Sequence, residues 1–575
     1  LHGADPAAWL GLLYRWRWAL AAVVAAVWIV SFTGAWRVTP DGAHQAYMGR
    51  AFFDGRGLAH PLNLGDRITP GLPWLIAGGM QLAGRGALWP TMVVIWATGV
   101  VGVVLTWWLM RVSPPGVGRV TDTRDPAPAD GPTRARAEPA YDRKVAEAWL
   151  VALALGFNRQ WLDHALTLMA DVPFATAMLG VLLGVGLIGG SQRLRSAKRR
   201  LLGAVVLLVV GLAVALVMRT LGVVLLAVVV GWFVCWGARS LGQLRMPRLR
   251  WAVPGGLAVA AGLATAVWVG WRWAGADVLL LFDRLVNQGA VRDAAVRLGP
   301  KLILETLGEA VFGLDMGHVA GVVGPIALIG TVAGLVRGRG GRWLWLVLLG
   351  VVLMQCLVLN ATERYLLPVL PMLIWGWWRA TVVVTRWIAP PPPAGSSGGA
   401  SEDAAGAAAS PAASPSAQDR RRGWRHGLAV GVFMLGNGLY VVANGVEIGD
   451  LLIEQHGNPA MARYDDGEWQ GVYELSEWLV AHGKPGDVAV IDRQWHGPAL
   501  FWTDDAVRFE LSLTPETTRA LVDPDDTLYL IDPVDPSIET ALVGNRWQRG
   551  ELVYERAGPH GWVWRVWAVD FADVP

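Results

Sequence analysis

The chain has 575 residues, 54% of them hydrophobic and only 17% charged, with a net charge of +3 and a mean hydropathy of +0.39. A soluble globular protein carries about 25% charge, so an ordinary soluble enzyme and a nucleic-acid-binding module are both excluded. What remains is an integral membrane protein, and the 33 Trp residues fit that class. They flank apolar runs, as at Trp16 and Trp18, Trp107 and Trp108, and Trp377 and Trp378, in the manner of interfacial aromatic belts.

Apolar runs of spanning or nearly spanning length cover 17–36, 88–110, 145–158, 173–190, 201–218, 220–237, 252–272, 320–336, 343–359, 366–388 and 427–446. The first run is longer than a signal-peptide core and lacks a small-residue cleavage pattern, so an anchor is expected. A start at Leu rather than Met points to a true start further upstream. Basic clusters at Arg15/Arg17, 111–144, Arg193–Arg200, Arg239–Arg250, Arg337–Arg342 and Arg420–Arg425 fall on alternate sides of these runs. Placing all six in the cytoplasm predicts about 11 transmembrane helices in an all-α polytopic membrane domain. The N-terminus is then inside and the C-terminus outside. The short, proline-flanked stretch 71–80 is left out of that count and is expected to lie on the outer surface as a juxtamembrane helix. Residues 37–86 then form one large first outer loop. The Pro-, Asp- and Arg-rich stretch 113–142 and the Pro-, Ala- and Ser-rich stretch from 389 to about 425 read as disordered cytoplasmic loops.

The C-terminal part differs in kind. From Gly449 onward lie 23 of the 46 acidic residues but only 9 of the 49 basic ones. An acidic soluble domain over 449–575, behind a basic membrane domain over 1–448, is the expected division. A helix over Tyr473–His482 and strands at 488–491, 527–531 and 563–569 predict a small α/β domain. It has no Gly-x-Gly-x-x-Gly after a strand, so nucleotide binding is unsupported. The two cysteines, Cys235 and Cys356, sit in apolar runs and give no disulfide framework.

The charged residues left at span ends converge on one side. The first outer loop holds Asp41, His44, Tyr47, His60 and Arg67. The second holds Asp163, His164 and Asp171. Arg219 separates two apolar runs, and Glu363-Arg364-Tyr365 precedes another. Each also has a plain reading. Asp41 suits a helix N-cap, as does Asp171. Arg219 suits an interfacial snorkel, and Arg364-Tyr365 an anchor pair. The scattered histidines read as surface polar groups, and Asp504-Asp505 as part of a solvated turn.

Four motifs in order tip the balance. They are Pro40-Asp41-Gly42 with Tyr47, Gly55-Arg56-Gly57 and Pro70-Gly71-Leu72-Pro73; Leu168-Met169-Ala170-Asp171-Val172-Pro173-Phe174; Met218-Arg219-Thr220-Leu221-Gly222; and Arg364-Tyr365-Leu366-Leu367-Pro368. Together they resemble the GT-C membrane glycosyltransferases. The likeness is to the bacterial dolichyl-phosphate-mannose-protein mannosyltransferase-like and aminoarabinose-transferase-like branch, over most of residues 17–390. The resemblance implies a polyprenyl-phosphate sugar donor held in membrane lipid, with transfer on the extracytoplasmic face of the inner (plasma) membrane. The acceptor, a protein, glycan or lipid, stays open, and no nucleic acid is involved. Asp41 resembles the family's catalytic carboxylate and would be the base, with Asp171 assisting. Tyr47, Arg67, Arg219, Arg364 and Tyr365 would bind substrate, the arginines gripping the lipid phosphate. The cofactor is left open, a divalent metal being one option. The competing reading is a transporter or flippase for a lipid-linked or small polar substrate. It would place ionisable residues at mid-membrane on broken helices in two related halves. This chain keeps its charges at span ends and shows no internal repeat. A non-catalytic scaffold would leave the first outer loop without a purpose.

Overall fold

The computed structural model describes residues 6–34, 37, 39–58, 69–112, 142–190, 198–219, 221–241, 304–313, 320–337, 349–350, 363–389, 417–457, 468–491, 493–510, 523, 525–533, 550–557 and 563–569. The expected span 252–272, nearly all of 343–359, the loop 113–141, and His60 and Arg67 lie outside them. The chain divides into two compact units. One comprises Leu1–Val24, Val103–Gln160 and Asp293–Glu447, the other Ala25–Gly102, Trp161–Arg292 and Ile448–Pro575.

The helices in chain order are α1 (Pro6–Ser31), α2 (Pro40–Phe53), α3 (Gly71–Ala83), α4 (Trp89–Val112), α5 (Arg143–Gly156), α6 (Arg159–Ala165), α7 (Asp171–Gly190), α8 (Lys198–Met218), α9 (Leu221–Leu241), α10 (Ala320–Arg337), α11 (Leu370–Ile388) and α12 (Ala417–Gly457). A 3-10 turn over Glu363–Val369 leads into α11. Among the described residues six helices are long and apolar enough to cross a bilayer: Trp9–Ser31, Trp89–Val112, Asp171–Ile188, Leu201–Met218, Arg364–Ile388 and Gly427–Ile453. Leu221–Phe233 and Gly321–Leu335 are apolar but shorter. The expected run 145–158 becomes α5, whose 14 residues reach only about 21 Å at 1.5 Å per residue, short of a membrane core. Helix α12 starts at Ala417, inside the stretch expected to be a loop to 425. Its first turns, Gln418-Asp419-Arg420-Arg421-Arg422, are charged, which is why hydropathy alone hid them.

Small residues set the helix contacts. In the second unit, α7 is almost wholly buried and packs along α8. A Cβ on Gly184 would come within 2.8 Å of the Ala204 carbonyl, and one on Gly211 within 2.8 Å of the Ala177 carbonyl. In the first unit, Gly376 of α11 faces Ala327 and Thr331 of α10, and the Thr331 hydroxyl donates to the Met372 carbonyl at 3.1 Å. Close backbone approach through small residues is how helices associate where the solvent is itself apolar.

The C-terminal part holds α13 (Glu468–His482), β1 (Val488–Val490), α14 (Arg493–Thr503), β2 (Arg508–Glu510), β3 (Leu528–Pro533), β4 (Glu551–Ala557) and β5 (Val563–Val569). The sheet order is β2-β1-β3-β5-β4, with β1 parallel to β2 and β3, and β5 antiparallel to β3 and β4. Its core gathers Leu475, Leu479, Ile491, Trp495, Phe509, Ile531, Trp564 and Val566, and Tyr47 of α2 belongs to the same cluster. Asp487 is buried and ties β1 to the 523–527 turn by accepting from the Thr527 backbone at 2.8 Å.

Candidate active site

Helix α2 begins one residue before Asp41. Thr39 is the N-cap: its backbone is extended, and its hydroxyl oxygen accepts from the Gly42 N–H at 3.1 Å. Pro40 occupies the first helical position, where a missing N–H costs nothing. The reading of Asp41 as the cap is therefore corrected. Asp41 stands in the first turn, exposed, where a carboxylate also suits the helix dipole.

The start of α2 is pressed against the segment that precedes α7. A Cβ on Gly42 would lie 2.7 Å from the Leu168 carbonyl, so only glycine fits at that position. Arg37 forms a parallel bridge with Thr167, and its guanidinium donates to the Asp163 carboxylate. Three residues beyond Leu168, Asp171 opens α7, and it is 3% exposed. Its Oδ1 lies 2.6 Å from Nη2 of Arg219. Arg219 thus has an anionic partner, and its sequence reading as a bare interfacial snorkel is too simple.

The Met-Arg-Thr-Leu-Gly motif falls at the junction of two helices. α8 ends at Met218 and α9 starts at Leu221, and the Gly222 N–H bonds the Arg219 carbonyl at 2.9 Å. Gly222 sits against the Ala215 carbonyl with no room for a side chain. The Met218 carbonyl accepts from the Thr69 hydroxyl at 2.7 Å, and Gly71 approaches Val217. Helix α3, which follows, packs on α2 through Leu72, Ile76 and Met80, joined by Leu168 and Met218. Asp41, Asp171, Arg219 and the Pro-Gly-Leu-Pro motif are therefore brought together within one unit. Arg364 and Tyr365 lie in the other unit, on the 3-10 turn, with the guanidinium 5.1 Å from the tyrosine ring centroid.

The acidic C-terminal part does not stand aside from α2. Gly497 of α14 abuts the Pro40 carbonyl and the His44 ring, and His44 stacks on His496 at 5.5 Å. Arg50 is buried; it donates to the Phe501 carbonyl at 2.8 Å and pairs with Asp504 at 3.1 Å. Arg56 pairs with Asp505 at 2.7 Å, and the Tyr47 hydroxyl donates to Asp505 at 2.7 Å. Arg85 bridges Asp54 at 3.0 Å and Asp504 at 2.9 Å. Asp504 and Asp505 both have positive φ, 53° and 64°, so this turn is a fastener rather than the solvated turn expected. Burial, then the Asp505 carboxylate, pushes the Tyr47 hydroxyl up to about 12. Burial, then His44, pushes His496 down to about 3. Hydrogen bonds from Arg85 hold Asp54 below its usual carboxylate range.

Sequence reasoning missed Arg37, Arg50, Arg85 and His496. Each has a partner 126 to 452 positions away that nothing local marks. Arg56 carried a signal, since it is framed by Gly55 and Gly57, both with positive φ. Among the described residues no three His, Cys, Asp or Glu side chains gather as a metal site.

No protein-family model matches the chain, and no curated protein matches it. Solved structures do. ArnT from Cupriavidus metallidurans bound to undecaprenyl phosphate is 13% identical, over 96% of this chain and 98% of that one, with a TM-score of 0.50. The Archaeoglobus fulgidus oligosaccharyltransferase tethered with an acceptor peptide is 10% identical, over 97% of this chain and 74% of that one, with a TM-score of 0.51. The same enzyme in complex with Zn and sulfate gives 10%, 94%, 72% and 0.51. The chain is a multi-pass membrane protein. Its fold is that of ArnT and of the archaeal oligosaccharyltransferase.

Proposed function

We propose that the chain is a membrane glycosyltransferase that moves a sugar from a polyprenyl-phosphate donor to an acceptor on the extracytoplasmic face, with Asp41 as base. The carrying observation is that Thr39 relieves Asp41 of capping. That leaves an exposed carboxylate on a helix whose next residue contacts the Leu168 carbonyl, three positions before the Asp171–Arg219 pair. The undecaprenyl phosphate bound to ArnT supports the donor class. The charge pattern supports a multi-pass arrangement in the inner membrane, with the N-terminus cytoplasmic and the acidic domain outside.

In this reading Asp41 takes the proton of an acceptor hydroxyl as its oxygen attacks the anomeric carbon. The bond from that carbon to the phosphate oxygen breaks, and the polyprenyl phosphate leaves with the electron pair. Arg219, held by Asp171, meets the developing phosphate charge. Asp171 is thus an orienting group, and its carboxylate is already neutralised by a guanidinium. By the motif resemblance, Arg67, Arg364 and Tyr365 bind the donor, and Arg364→Gln should weaken donor affinity.

The test is transfer from a radiolabelled polyprenyl-phosphate sugar by the full chain in lipid nanodiscs. Asp41→Asn should lower kcat by about 10²- to 10⁴-fold, the usual worth of a positioned base. Wild-type turnover in that variant removes Asp41 as base. Movement of intact donor across a bilayer without bond cleavage supports the transporter instead.

A further inference from the structure

We infer that Asp504 and Asp505 are positioning residues for the site on α2: the acidic C-terminal domain fixes the helix that carries Asp41. The inference rests on the functional reading above and adds a role for a region which that reading leaves idle.

Three observations carry it. The first is that α2 is held from one side by the tail. Gly497 touches the Pro40 carbonyl, the residue adjoining Asp41, and His496 stacks on His44, one turn further on. The second is the far end of the same helix. Arg50, buried at 5% exposure, reaches the carbonyl of Phe501 and the carboxylate of Asp504. Tyr47 and Arg56 both close on Asp505. A helix gripped at both ends cannot rotate or slide, so the direction of Asp41 is set by the tail. The third is the turn itself. Two successive aspartates at positive φ occupy a conformation that most side chains avoid, and Asp and Asn tolerate it best. That strained turn aims the two carboxylates at Arg50 and Arg85 on one side and at Arg56 and Tyr47 on the other.

The same turn makes the test clean. Asn keeps the left-handed backbone and the side-chain shape, so Asp504→Asn with Asp505→Asn removes charge and little else. Two readouts are taken on the full chain in nanodiscs: amide hydrogen exchange of the α2 peptide, and donor saturation kinetics. The expected result is about tenfold faster exchange in α2. A kcat lowered about 10- to 100-fold should accompany it, with the donor KM within about twofold, because a displaced base slows the chemical step rather than binding. Arg556→Gln, which breaks the exposed pair with Glu474 elsewhere in the tail, serves as the charge-loss control and should change neither readout. Unchanged α2 exchange in the double variant overturns the clamp. Faster exchange with wild-type kcat overturns the positioning role. If the wild type transfers no sugar, the functional reading fails by itself, and the exchange arm still decides whether the tail holds α2.

Discussion

The pairs Asp171–Arg219 and Arg37–Asp163 are sunk in the protein, with side-chain exposures of 3% and 20%, and 11% and 16%. The pairs Arg56–Asp505 and Arg85–Asp504, on the tail's side of the same unit, stand at 38% and 37%, and 46% and 39%. Burial changes what an ion pair does. A sunken pair gains little net stability over apolar packing, but removing one partner strands the other charge away from water. An exposed pair is screened and individually worth little, so several are needed to hold one element. The buried pairs thus fix single side chains, while the exposed pairs work by number beside α2, around the buried Arg50.

Arg219→Gln probes the first side of that comparison and should give the largest effect. Asp171 would keep its burial and lose its ion pair, at a cost of about 3–5 kcal/mol. Chemical denaturation of the detergent-solubilised protein would measure it. A loss below about 1 kcal/mol would mean that Asp171 meets water or another donor, and the two classes of pair would no longer differ.

The next effect in size comes from His496, at the seam where the tail meets α2. Its neighbours include His44 from α2 and the ring and backbone of Phe509 from β2. Burial keeps it neutral in the fold, with its titration near 3, whereas unfolded histidine titrates at about 6.5. The unfolded chain therefore binds the extra proton between those values. The stabilisation is complete above about pH 6.5 and is lost as pH falls toward 3, by at most about 1.4 kcal/mol per pH unit. His496→Phe should flatten that acid slope, as followed by tail unfolding between pH 7 and 4. An unchanged slope would assign it to other groups.

What the sequence disclosed and what it withheld divide along the same line. Asp41, Asp171 and Arg219 were legible because a charge at the end of an apolar run is rare and costly. The basic loops predict that all three face one side, and the fold sets Asp171 against Arg219 at 2.6 Å. The strands at 488–490, 528–533 and 563–569 were legible as apolar runs of strand length. Strand β4, Glu-Leu-Val-Tyr-Glu-Arg-Ala, was not, because as an edge strand it is mostly exposed and shows no clear alternation. β2 has three residues and no room for a pattern. Asp504 and Asp505 looked solvated because their partners on α2 and at Arg85 lie more than 400 positions away. Composition can show a charged turn, but only the fold shows what it grips.

Thr39→Ala follows in size. Loss of a threonine cap costs about 1 kcal/mol, and denaturation should show it. Asp41→Asn should cost less than about 0.5 kcal/mol, as a surface change that leaves the cap in place. If the two costs were reversed, Asp41 would be the cap after all.

Arg85→Gln should have the smallest effect and gives the sharpest contrast with Arg219→Gln. It releases both Asp54 and Asp504, yet all three groups are partly exposed. Exposed pairs are worth about 0.2–1 kcal/mol each. The loss should also fade with salt, since at about 1 M the Debye length shrinks to about 3 Å and the wild type loses the same attraction. The Arg219→Gln loss should persist there, because burial shields that pair from ions. Denaturation of both variants at low salt and at about 1 M therefore separates the classes without any assay of activity. A salt-resistant loss in Arg85→Gln would mean that the Arg85 pairs behave like the sunken Asp171–Arg219 pair, and the two classes would no longer differ.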